Sequence, residues 1–172
     1  MGRCNAEGIR VTSSTIVTVL LWAGALGCGL IAGVYFAFSG FIMQAFGKIN
    51  ATQSIPAMNS INETILRSSF MPLFFGTSII SVLLMITALV HWGEAGAVLA
   101  LVAGVVYFVG MFVCTVVINV PLNNSLARQD PESAGAHRVW SRYLVTWTNW
   151  NHLRTISALV SSILCIWLLS DQ

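Results

Sequence analysis

The sequence predicts an all-α membrane protein: an antiparallel four-helix transmembrane bundle with an additional amphipathic helix between the first and second spans. Three observations predict it. The 172 residues are 56% hydrophobic and only 8% charged, whereas a soluble domain carries about 25% charged residues; the mean hydropathy is +0.81. Apolar runs close to the roughly 20 residues that cross a bilayer core recur along the chain. Between the first two of them, residues 52–68 are apolar on one side only. The chain reads as a single membrane domain over residues 1–172, with spans at about 15–38, 70–90, 95–117 and 150–169. A net charge of +2 without any basic block argues against nucleic-acid binding.

Arg3 and Arg10 precede the first span, which is too long for the h-region of a cleaved signal peptide. Gly24, Gly27, Gly29 and Gly33 give this span a small-residue face that permits close helix contact. It ends in Tyr35, Phe38, Ser39 and Phe41, which read either as an interfacial aromatic belt or as a pocket wall.

In the amphipathic helix Ile55, Met58, Ile61, Ile65 and Leu66 recur at helical spacing, with Asn59, Glu63 and Arg67 on another face. Glu63 and Arg67 read as an exposed helix pair contributing about 0.3–0.5 kcal/mol, or Glu63 as a catalytic carboxylate. Pro72 suits the first turn of a new helix, so the second span starts near Phe70. His91 to Glu94 makes a tight turn into the third span, which Asn119 and Pro121 are expected to close. Leu122 to Ala136 is a polar loop.

Beyond it, Trp140, Tyr143, Trp147, Trp150 and Arg154 recur at spacings of three and four, suggesting a helix continuous with the last span. Ile156 to Leu169 is apolar but too short to cross alone. Counting back about 20 residues from Leu169 reaches Trp150, so Asn151, His152 and Arg154 fall at or inside the membrane edge. Either Arg154 snorkels to the headgroups or these residues form a site.

Four antiparallel spans leave both longer connections on one side, the loop side. There the helices gather Tyr35 and Ser39, Asn62, Glu63 and Arg67, then Asn119, Asn123 and Asn124, then Asn151, His152 and Arg154. Both mouths meet water, so solvation alone does not explain the asymmetry, and an apolar pocket with convergent polar groups is the expected binding site. Asn123 and Asn124 also suit helix capping. Cys4, Cys28, Cys114 and Cys165 show no CxxC spacing, and the last three, in apolar spans, read as small core residues rather than a disulfide framework or metal site. His91, His137 and His152 lack metal-ligand spacing.

Four runs carry a family resemblance: Gly33-Val-Tyr-Phe-Ala-Phe-Ser-Gly-Phe-Ile-Met43; Asn62 followed by Phe74-Phe-Gly-Thr77; Asn119-Val-Pro-Leu-Asn123; and Trp147-Thr-x-Trp-Asn-His-Leu-Arg-Thr155. Together they resemble the anthrone-oxygenase-like family of small four-helix membrane proteins, many of them without assigned activity. Glu63 departs from the pattern, in which a basic residue is expected after the asparagine. The resemblance implies oxidation of an anthrone-like phenolic small molecule by O2, with no cofactor, metal or flavin. In that reading His152 is the base. Asn151, Asn119 and Arg154 stabilise the oxyanion, and Trp147, Trp150 and Tyr35 flank a planar substrate. Ser39, Asn62 and Asn123 complete the binding set. Adjacent Asn151 and His152 lie about 100° apart on a helix and cannot both face a narrow pocket squarely. The rival reading is a non-enzymatic membrane protein whose mouth binds a membrane lipid or a partner through Arg142, Arg154 and the tryptophans. Lys48, Arg67, Arg128, Arg138, Arg142 and Arg154 outnumber Arg3 and Arg10, so the positive-inside rule puts the loop side in the cytoplasm.

Overall fold

A computed structural model of the chain describes residues 15–171. The readings that rest on Arg3, Cys4 and Arg10 lie outside these residues. Five helices follow in chain order: α1 (Thr15–Phe46), α2 (Ala51–Ile65), α3 (Phe70–Val90), α4 (Ala97–Ala127) and α5 (Ala136–Ser170). All but α2 are long and apolar enough to cross a membrane. No strand occurs among the described residues.

The four long helices close a ring: α1 packs on α3 and α5, and α4 packs on the same two. Three apolar layers fill it. Val17, Leu21, Leu84, Ala100 and Leu168 pack at the terminal end. Cys28, Ile31, Phe74, Tyr107 and Met111 form the middle layer. Met43, Ile55, Met58, Leu126, Trp140 and Tyr143 close the loop-side end. Lipid tails are as apolar as the helices, so close contact and interhelical hydrogen bonds hold such a bundle. Ser161 Oγ donates to the Ala103 carbonyl of α4 at 2.9 Å, and Ser162 Oγ to the Ala25 carbonyl of α1 at 2.8 Å. Such bonds contribute about 0.6 kcal/mol each. A methyl group at Gly27 would collide with Thr77, so glycine there sets the approach of α1 to α3. Gly33, expected on the same face, is exposed with no neighbour inside 4 Å of the Cβ position.

Three boundaries depart from the sequence reading. Asn119 and Pro121 do not close the third span; α4 continues to Ala127. Proline lacks an N–H and crowds the carbonyl four residues back. Two π-helical stretches, Phe108–Val113 and Thr115–Asn119, widen the turns just ahead of Pro121 and let the helix carry on. Helix α1 likewise runs past Phe38 through a π-helical turn, Phe38–Ile42, to Phe46. Helix α2 ends at Ile65, leaving Arg67 outside it, so the expected helical pair with Glu63 is not built.

Helix α5 has 35 residues and is about 52 Å long, well beyond a hydrocarbon core of about 30 Å. Its first turns project on the loop side. Helix α2 lays Ala51, Ile55 and Met58 against Trp140, Tyr143 and Trp147 there and roofs the mouth of the bundle.

Candidate functional site

The inward face of α5 decides the site. Trp140, Tyr143, Trp147, Asn151, Arg154, Ala158, Ser161, Cys165 and Leu168 are buried at steps of three or four. That stripe passes through Asn151, not through its neighbours. Trp150 is 37% exposed and His152 is exposed as well. The stripe expected from Trp147 to Trp150 to Arg154 is therefore corrected to Trp147, Asn151, Arg154, and the about 100° between adjacent residues turns His152 outward.

Asn151 has no exposed surface. Its Nδ2 donates to the Tyr35 carbonyl at 2.7 Å and to Ser39 Oγ, beside the π-helical turn that interrupts the regular ladder of α1. Its Oδ1 accepts from Arg154 Nη2 at 2.7 Å. Asn151 thus spends its whole amide on fixing Arg154 to α1.

Arg154 is 3% exposed. Its guanidinium carbon sits 4.3 Å from the Tyr35 ring centre and 4.9 Å from that of Trp147. Nη1 donates to Thr115 Oγ1 at 3.4 Å, and Nε meets no acceptor among the described residues. All these partners are uncharged. Of the acidic residues described, Glu63 is exposed on α2, Asp130 and Glu132 are exposed in the loop, Glu94 is in the turn at the opposite end, and Asp171 is at the far end of α5. A buried cation between two π faces, one amide oxygen and one hydroxyl, with no carboxylate of the described residues beside it, is a strong local source of positive potential in a low dielectric.

A second amide organises the roof. Asn123 Oδ1 accepts from Tyr143 Oη at 2.8 Å and from Trp147 Nε1 at 2.9 Å, while its Nδ2 donates to Asn62 Oδ1 at 3.1 Å. Asn119 is buried and donates through Nδ2 to the Trp147 carbonyl at 3.4 Å. These contacts lock the Trp147 ring in place under α2.

Beside these groups lies a cavity of about 270 Å³, close to the lower end of the roughly 300–1,000 Å³ usual for ligand pockets. Tyr35, Phe38, Phe70, Phe74, Trp147 and Arg154 line it, with Thr115 and the amides Asn62 and Asn123. Its wall continues through Leu66, Phe75, Val116 and Val120, which are exposed on the outer surface of the bundle. The lining suits a largely apolar molecule that carries negative charge.

Five of the residues expected at the site therefore line the cavity: Tyr35, Asn62, Asn123, Trp147 and Arg154. Ser39, Asn119 and Asn151 are buried behind its wall as supports. Trp150 and His152 are outside it. Glu63 faces a separate surface groove with Arg67. The sequence reading missed Thr115, Tyr143, Phe70 and Phe74. Signals existed for three of them: Phe70 and Phe74 are spaced to share a face, and Tyr143 stands in the stripe with Trp140 and Trp147; Thr115 lies in a π-helical stretch, where helical spacing gives no such signal. Among the described residues no three of His, Cys, Asp or Glu converge as metal ligands.

A family model described as anthrone oxygenase matches residues 66–164. The match spans Asn119, Asn123, Trp147, Asn151 and Arg154, and begins after Tyr35, Ser39 and Asn62. No curated protein and no solved structure matches the chain.

Proposed function

The chain belongs to the anthrone oxygenase family, and from that membership together with the cavity around Arg154 we propose that it oxidises a planar phenolic ketone of the anthrone class with molecular oxygen. The observation that carries this reading is the buried guanidinium, held against Tyr35 and Trp147 at an aromatic-walled cavity with uncharged partners only. An anthrone has a methylene group conjugated to its carbonyl. Losing one methylene proton gives an anion whose charge concentrates on the carbonyl oxygen. Arg154 stabilises that oxygen, and an uncompensated cation in a dry site does so more strongly than one in water.

The chemistry balances without further reagents. The anion passes one electron to O2, and the resulting radical pair joins to form a carbon–oxygen bond at the former methylene carbon. Loss of the remaining proton on that carbon then breaks the O–O bond, giving the second ketone and releasing hydroxide. One O2 is consumed, one quinone is formed and one water leaves. With His152 turned outward, the first proton goes to water at the loop-side mouth, and Arg154 makes its departure easier by lowering the energy of the anion.

The exposed apolar residues that continue the cavity wall, Leu66, Phe75, Val116 and Val120, support delivery of the substrate from the bilayer. The same surface supports the rival reading, a lipid held in the cavity by its acidic headgroup. The exposed Lys48, Arg67, Arg128, Arg138 and Arg142 support a cytoplasmic loop side.

The test is oxygen uptake and quinone formation by detergent-purified protein across a panel of anthrones, beside Arg154→Met. Equal amounts of O2 consumed and quinone formed, lost in Arg154→Met, is the expected result. No uptake on any anthrone, with phospholipid retained through purification and released from Arg154→Met, would move the assignment to lipid binding.

A further inference from the structure

The cavity is covered on the loop side and closed behind, but one flank is open. Met58, Ile61 and Asn62 of α2 line its top, and Tyr35, Phe38, Trp147 and Arg154 of α1 and α5 line its back. The remaining flank lies in the seam between α3 and α4. Residues 97–113 of α4 pack on α3, whereas residues 115–127 pack on α5 and α2 instead. The parting falls at the two π-helical stretches, which change the face that α4 turns to its neighbour.

Aromatic rings bridge the seam at the level where it opens. Phe112 packs on Phe74 at 5.3 Å and on Phe75 at 6.3 Å between ring centres, and stacks on Phe108 at 5.2 Å. These rings form a sill. On its loop side, Met71 and Phe75 from α3 and Val116 and Val120 from α4 line the slot. Phe75, Val116 and Val120 are exposed on the outer surface. Helix α3 has 21 residues and is about 30 Å long, the thickness of a hydrocarbon core, and Phe75 sits about 8 Å inside its loop-side end. At that depth the slot opens on acyl chains, which wet an apolar rim at little cost.

Phe75 belongs to both surfaces, since it lines the cavity and is half exposed to the bilayer. Its ring meets Phe74 edge-on at 5.3 Å and 82°, and Phe112 at 62°. Edge contacts of this kind are weak and an exposed side chain changes rotamer quickly, so the ring can swing aside.

We propose that the slot between α3 and α4 is the portal by which a ligand dissolved in the bilayer reaches Arg154, with Phe75 as its gate. The inference rests on the delivery from the bilayer read above, but not on the oxygen chemistry. It adds a selection that precedes binding: a molecule must first dissolve among the acyl chains. A water-soluble anion is kept out by the route, although Arg154 would attract it.

The test places a thiol in the cavity as Phe38→Cys in the full-length protein, held in lipid nanodiscs with both faces open to water. Two maleimides compete for it: N-phenylmaleimide, which dissolves in the bilayer, and a sulfonated maleimide, which does not. Modification of residue 38 is followed by mass spectrometry, each reagent scaled to its rate at an exposed loop thiol, Glu132→Cys. The phenyl reagent is expected to react faster by about tenfold or more. Adding Phe75→Ala should speed that reagent alone, and adding Val116→Trp should slow it alone, each by about tenfold. Val120→Trp serves if the first tryptophan variant fails to fold, and a loosened fold would reveal itself by speeding both reagents. A sulfonated reagent that keeps pace with the phenyl one shows a cavity open to water and overturns the portal. A rate ratio unmoved by Phe75→Ala and by the tryptophan variants overturns it too, as does no reaction at Phe38→Cys or at a second cavity site, Ile61→Cys. None of these outcomes touches the oxygen chemistry, because no anthrone is used.

Discussion

Asn151 Oδ1 accepts a 2.7 Å hydrogen bond from Arg154 Nη2 while the nitrogen of the same amide is bound to the Tyr35 carbonyl 2.7 Å away. One side chain therefore sets the position of the only buried cation among the described residues relative to α1. The arrangement separates two roles that a list of polar residues would merge. Asn151 positions, and Arg154 faces the ligand.

Replacing Arg154 by methionine is expected to separate activity from stability. Turnover should fall by about 10²–10³-fold, the usual effect of removing a preorganised group that stabilises an oxyanion. Thermal stability in detergent should change little, because relieving a buried charge offsets the roughly 1–3 kcal/mol cost of leaving Asn151 Oδ1 without its donor. Arg154→Lys should recover only part of the activity, since an ammonium cannot hold Asn151 and Thr115 through a planar fork. A large drop in melting temperature in Arg154→Met would make the guanidinium structural.

Asn151→Ala should lower stability and activity together. It leaves Arg154 Nη2 and Ser39 Oγ without their partner and loosens the Tyr35 carbonyl, at a cost of about 1–3 kcal/mol for each buried group left unsatisfied. The melting temperature should fall, and activity with it as Arg154 loses its fixed position. Thermal denaturation and oxygen uptake on one preparation check both.

His152→Ala is expected to keep turnover within about twofold of wild type, because the imidazole lies on the outer face of α5. A loss of tenfold or more, with the fold intact, would return His152 to the chemistry and require α5 to rotate during the reaction.

Two glycine substitutions test the packing. At Gly104 a Cβ would lie 2.6 Å from the Ser81 carbonyl oxygen, and the backbone of a neighbouring helix cannot yield cheaply. Gly104→Ala should destabilise the bundle by about 1–3 kcal/mol. Gly33→Ala meets nothing within 4 Å and should be neutral or stabilising by up to about 1 kcal/mol through helix propensity. The two melting temperatures, measured in one detergent, give the contrast.

Much of the architecture was legible in the residues. The apolar runs announced the long helices, and the one-sided pattern of Ile55 and Met58 announced α2. Extending the three–four stripe from Trp147 gives Asn151 and Arg154, so even the inward face of α5 was within reach. Residues such as Trp150, however, fit an aromatic stripe almost as well until packing excludes them. In α4 the signal fails for a physical reason. Each π-helical turn inserts an extra residue, so a wheel drawn at 3.6 residues per turn no longer reports which side Thr115, Asn119 and Asn123 occupy.

The sequence by itself determined the number and kind of helices, the membrane class and the gathering of polar residues at one mouth, because these follow from length, hydropathy and spacing along a single chain. Only the tertiary structure decided that Asn151 faces inward and His152 outward, that no carboxylate of the described residues sits beside Arg154, and that Arg154 Nε is left without an acceptor among them. Those facts depend on how helices rotate against one another and on which donors and acceptors remain after every pair is made, and such a remainder exists only once all the partners are in place.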